Sequence, residues 1–174
     1  MYFTDRWKRE LHNIAANLRK RLTQRRWPYG SEAAVEKVIL VAFYVIRKLI
    51  ESEAVPADVA DWSVEATTFP SKGRPVTRMF WPTVDEYFDM ETPKVAHLKL
   101  SLLCGYIVHS HVFTPWFGHD RELRGVFIAS DRTVKTTIYR ISLEEIIRVV
   151  DAVSSERIPN AFLRFGPEEN RIIM

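Results

Sequence analysis

Cysteine, glycine and long hydrophobic runs are all scarce in this chain of 174 residues. One cysteine, Cys104, excludes an intrachain disulfide framework and fits a reducing cytosol, so a cytoplasmic location is expected. Six glycines leave no room for a G-x-x-x-x-G-K-[ST] loop or a G-x-G-x-x-G fingerprint, which removes the common routes to nucleotide binding. A G-x-S-x-G elbow and an H-E-x-x-H pair are absent too. The best apolar run, "VILVAFYVIRKLI", is interrupted by Arg47 and Lys48, so no transmembrane segment is expected. The opening "MYFTDRWKRE" is charged and has no apolar stretch of the kind a secretory signal needs. Repeats and low-complexity tracts are missing.

What is present divides by charge. Residues 1–29 hold eight basic side chains against two acids, whereas the remaining 145 hold seventeen against twenty. The basic segment is also periodic: Trp7, Leu11, Ile14, Leu18 and Leu22 recur every three or four positions and predict a helix over 4–25. Arg19, Lys20, Arg21, Arg25 and Arg26, followed by Trp27, set positive charge beside an aromatic ring. That combination can neutralise phosphates and stack on bases, so these six are the candidate contacts for nucleic acid or an acidic protein partner.

The rest of the chain reads as an α+β fold in a single domain, 1–174. It comprises the basic N-terminal helix (1–29), a core (30–155) and a C-terminal tail (156–174) whose structure has no clear period. Pro28, Gly30 and Ser31 end the first helix and cap a second at about 32–54, apolar around most of its circumference. "WSVEATTF" (62–69) and "RPVTRMFW" (74–81) flank "PSKG" and predict a β-hairpin. Thr92 and Pro93 have the pattern of a helix start, opening a helix through "KVAHLKLSLLCGYIVHS". "RGVFIAS" and "TVKTTIYRI" around Asp131 and Arg132 predict a second hairpin, and Ser142 with Glu145 predicts a capping box before a last helix. The expected architecture is a small antiparallel sheet, built from two hairpins, packed with three to four helices.

Chemistry-bearing residues concentrate in "IVHSHVFTPWFGHD". His109, His111, His119 and Asp120 are the low-ranked candidates for a metal, and hence for a metal-dependent hydrolase as the alternative function. On a helix His109 and His111 point about 200° apart and cannot share an ion; on a strand they share a face. The expectation here is structural histidines, no catalytic residue and no cofactor. Cys104 has no histidine within reach on its own helix and is expected to be a small buried residue.

"RWKRELH" puts Arg6 six residues before His12. The spacing resembles the Arg–His motif of HEPN-type ribonucleases, in which the motif sits on a later, central helix. The resemblance spans two central helices at most and leaves the hairpins outside, so no family is assigned. It implies ribonuclease activity using Arg6 and His12 as a further alternative. Aromatics at edges and in the tail (Trp62, Trp81, Trp116, Phe162, Phe165) add the expectation of a homo-oligomer or a hetero-complex.

Overall fold

In a computed structural model, residues 4–76 and 83–155 are described. In chain order the elements are α1 (Thr4–Thr23), α2 (Ser31–Glu51), α3 (Ala57–Ala60), β1 (Ser63–Pro70), α4 (Val84–Tyr87) and β2 (Lys94–Lys99). They continue with α5 (Leu100–Val108), β3 (Ser110–Phe117), β4 (Leu123–Ser130), β5 (Thr137–Ser142) and α6 (Leu143–Ser155). The α+β class is as the sequence implies, with four helices of nine residues or more and two single turns. The strands make one antiparallel sheet in the order β2-β1-β5-β4-β3.

One face of the sheet is covered by helices. The apolar stripe of α1 puts Leu11, Ile14 and Leu18 into the core, where α1 packs on α6 and α2, and α2 packs on α5. The basic segment is therefore part of the body, not a detached arm. Burial of each such aliphatic side chain contributes about 1.5–3 kcal/mol. The opposite face carries a smaller, aromatic cluster of Phe69, Val112, Phe127 and Ile138, covered by Phe88 and Val134.

Four local expectations are corrected. The segment 94–99 is a strand, not the start of a helix: Val95, His97 and Lys99 alternate with Ala96 and Leu98, and the run pairs along β1 from Thr68↔Lys94 to Ser63↔Lys99. Backbone pairing across the sheet outweighs the Thr92–Pro93 signal, and the helix begins only at Leu100. The strand partners of β1 are thus β2 and β5; residues 74–76 are not a strand, and 77–81 lie outside the described residues. Gly30, not Ser31, is the N-cap of α2; its φ of 80° is a conformation glycine adopts without strain. The capping box at α6 is half formed. The Glu145 amide donates to Ser142 Oγ at 3.1 Å, but the Glu145 carboxylate accepts from the Glu65 amide of β1. The tail 156–174 lies outside the described residues.

The second hairpin forms between β4 and β5, with 131–136 as its turn. That turn lies beside the junction of α5 and β3, where the Asp131 amide approaches the His109 carbonyl.

Candidate functional site

His109 caps the C-terminus of α5, and β3 starts one residue later. The pairing of β3 with β4 shifts register between Ser110 and Val112, so His111 is the extra residue of a bulge. A bulge re-aims a side chain out of the regular alternation, and the two histidines take separate partners. His109 Nε2 accepts from Arg47 Nη1 at 3.0 Å, which leaves its proton on Nδ1 in the neutral ring. His111 Nδ1 lies 3.1 Å from Asp131 Oδ1. Its other nitrogen, Nε2, is buried without a hydrogen-bond partner. With no solvent contact at Nε2, this imidazole holds the Asp131 carboxylate in place; it is not an accessible base.

His119 and Asp120 sit in the turn at the far end of β3, exposed, roughly 25 Å of strand away from His111. The four residues do not converge. Among the described residues no group of three or more His, Cys, Asp or Glu side chains is arranged to hold a metal ion. The turn itself is tightly filled. A Cβ on Gly118 would lie 2.2 Å from Glu122 Oε1, and Glu122 is held by Arg124, which keeps its carboxyl below the usual range after the bond from its own backbone.

Two cavities adjoin at Asp131. One, of about 500 Å³, is lined by Arg47, Ile50, Leu102, Tyr106 and His109 together with Arg132. The other, of about 450 Å³, is lined by His111, Arg74, Val134 and Lys135. Arg47 is engaged by Glu51 as well as His109. Arg74, Arg132 and Lys135 are exposed and have no ion-pair partner among the described residues. The sequence had pointed to the histidines here but not to Arg47, Asp131 or Arg132. Asp131 and Arg132 read as turn residues, and the contact of Arg47 with His109 spans 62 positions.

Cys104 is fully inside α5, and burial pushes its thiol up to about 12, against a smaller opposing pull from Arg47. It is a packing residue. Arg6 and His12 lie on α1 but point about 120° apart around its axis, and both are exposed. His12 shares a shallow cavity with Trp62, Arg148 and Asp151, which Arg6 does not line.

The six basic-segment candidates divide. Arg19 pairs with Asp151 of α6. Arg21 binds Gln24 Oε1 at 3.2 Å and lies 5.7 Å from the centre of the Trp27 ring. Arg25 donates to the Leu22 carbonyl at 2.9 Å, closing the end of α1. Trp27 packs edge-on against Phe117 at 5.0 Å and donates from Nε1 to the Arg121 carbonyl at 2.8 Å. Arg19 and Trp27 fasten the segment to the body, while Arg21 and Arg25 are engaged within it. Lys20 and Arg26 are exposed with no ion-pair partner among the described residues.

Arg6 and Arg9 share that outward exposure, and the sequence reading passed over them as contacts. At 100° per residue Arg6, Arg9, Asn13 and Lys20 fall within an arc of roughly 60°, directly opposite the buried stripe. Asp5 and Glu10 fall outside that arc. From Arg6 to Lys20 the line runs roughly 21 Å. No helix among the described residues is long and apolar enough to cross a membrane. Comparison with protein-family models, curated proteins and solved structures finds no match to this chain.

Proposed function

We propose that the protein is a cytosolic, non-catalytic binding protein that contacts nucleic acid through the outward face of α1 and the loop after it. The observation that carries this reading is a line of exposed cations, Arg6, Arg9 and Lys20 with Arg26 beyond, with no ion-pair partner among the described residues. The middle of its opposite face, from Leu11 to Leu18, is used in the core. A helix that had to lie on a membrane would keep an apolar face exposed; here that face is spent on packing. Along one strand of a duplex, roughly 21 Å covers about six phosphate steps, enough for several simultaneous contacts.

The test is fluorescence anisotropy of a labelled single-stranded RNA and a duplex DNA across a series of salt concentrations. Wild-type binding should weaken steeply with salt, and Arg9→Glu/Lys20→Glu/Arg26→Glu should lose about ten-fold or more in affinity, with a shallower salt slope. No binding to either polymer at low salt would overturn the reading and direct attention to an acidic protein partner. Intact RNA after prolonged incubation is expected. Cleavage that disappears in His12→Ala would replace the reading with the ribonuclease alternative.

A further inference from the structure

We propose that the two-lobed cleft around Asp131 is a second, separate site, which takes a small phosphate monoester carrying a planar ring, of the size and kind of a nucleoside monophosphate. The argument starts from charge. Four cations line the two lobes, Arg47 and Arg132 in one and Arg74 and Lys135 in the other, against two carboxylates, Glu51 and Asp131. Glu51 is committed within the protein, and Asp131 through one oxygen. Glu51 accepts from Arg47 and Lys48, which hold its carboxyl below the usual range, and Asp131 is held by His111. Arg74, Arg132 and Lys135 have no ion-pair partner among the described residues, and across the two lobes four cations outnumber two carboxylates. An excess of guanidinium and ammonium groups on a concave surface favours an oxyanion with several acceptors.

The second part of the argument is the wall. In the larger lobe Ile50, Leu102 and Tyr106 contribute apolar lining alongside Arg132, and Leu102 remains 43% exposed. Tyr106 is fixed by stacking on Tyr139, with ring centres 5.3 Å apart and planes 29° apart. A free inorganic anion would leave that wall wet, and an uncharged ring would leave the cations unpaired. One molecule with both parts uses both. A volume of about 500 Å³ lies within the range of small-ligand pockets. The bulge at His111 contributes by setting the Asp131 carboxylate between the lobes, where it can accept from a ligand hydroxyl.

The experiment is calorimetric titration of the full chain with AMP, adenosine and inorganic phosphate as separate probes. AMP should bind about ten-fold or more tightly than either half. Arg132→Glu should reduce AMP affinity about ten-fold, and Leu102→Ala should weaken AMP while leaving phosphate unchanged. Arg9→Glu on α1 should have no effect on AMP, so failure of this site and failure of the nucleic-acid reading are separable. Arg132 and Leu102 are both exposed, so the variants should fold, and circular dichroism confirms it. The proposal is overturned if AMP binds no better than phosphate, if Arg132→Glu binds AMP like wild type, or if Arg9→Glu weakens AMP as much as Arg132→Glu does.

Discussion

The two ends of β3 carry similar residues and are built in opposite ways. At its start, His109 and His111 are drawn apart by a helix cap and a bulge, each onto a partner from elsewhere in the chain, and a cleft opens between them. At its end, His119 and Asp120 stand exposed on a turn whose interior is full: Gly118 fits against the Glu122–Arg124 pair, and Trp27 is bonded to the Arg121 carbonyl. Polar residues adjacent in sequence are therefore not what makes a site here. Concavity does, together with side chains delivered from α2 and the β4–β5 turn. The full end should tolerate little change in its backbone, and the open end should tolerate change in the exposed side chains that line its cleft.

The largest effect should come from Gly125, on the strand leaving the full end. A Cβ there would lie 2.1 Å from the Ile141 carbonyl oxygen, which is backbone and has nowhere to move. Gly125→Ala should destabilise the fold by about 3 kcal/mol or more in urea denaturation, while Arg132→Ala in the cleft should stay within about 0.5 kcal/mol. Equal costs for the two variants would erase the contrast between the ends.

How much of this contrast could be read beforehand depends on range. The helices α1, α2 and α6 were legible because Leu11, Ile14 and Leu18, or Ile146, Val150 and Val153, repeat with the helical period and need no distant partner to be recognised. The hairpin β4–β5 was legible for the same reason: its pairing is local. The strand Lys94–Lys99 was not, because its partner β1 lies across an intervening segment and its short alternation competes with a good helix-start signal. The site shows the same division. His109 and His111 stood out in the sequence as candidate metal ligands, and the structure gives them separate partners. What they do is set by Arg47 and Asp131, at separations of 62 and 20 residues. On α1 the outward line of Arg6, Arg9 and Lys20 was available from angle alone, but charge density drew attention to 19–26 instead.

A smaller effect should appear at Cys104, on the helix that leads into the open end. Its ordinary pKa is 9.0 and in the fold it is pushed up to about 12, chiefly by burial. The folded state thus holds its proton where the unfolded chain has lost it. The contribution to stability is complete below about pH 9 and is lost as pH rises toward about 12. Stability measured across that window should fall more steeply for wild type than for Cys104→Ala, and the native thiol should resist a disulfide-exchange reagent at pH 8. Rapid labelling of the folded protein would mean that α5 opens readily and that the cleft wall is less rigid than its packing implies.

The smallest effect expected is the one that tests the histidine pattern most directly. Among the described residues His119 and Asp120 have no hydrogen-bond or ion-pair partner, and both are exposed on the turn. His119→Ala/Asp120→Ala should change stability by no more than about 0.5 kcal/mol. By contrast His111→Ala removes the bond to Asp131 and leaves a void in a half-buried position, so it should cost about 1 kcal/mol or more. Adding zinc to the untagged protein while following thermal unfolding completes the comparison. If zinc shifts the transition of wild type and the shift vanishes both in His119→Ala/Asp120→Ala and in His111→Ala, the two ends of β3 share one ion and the separation of roughly 25 Å must be wrong. Identical behaviour of the two proteins keeps the ends independent. The consecutive histidines are then a consequence of a strand that happens to be polar at both termini, with only the first terminus facing anything that can make use of it.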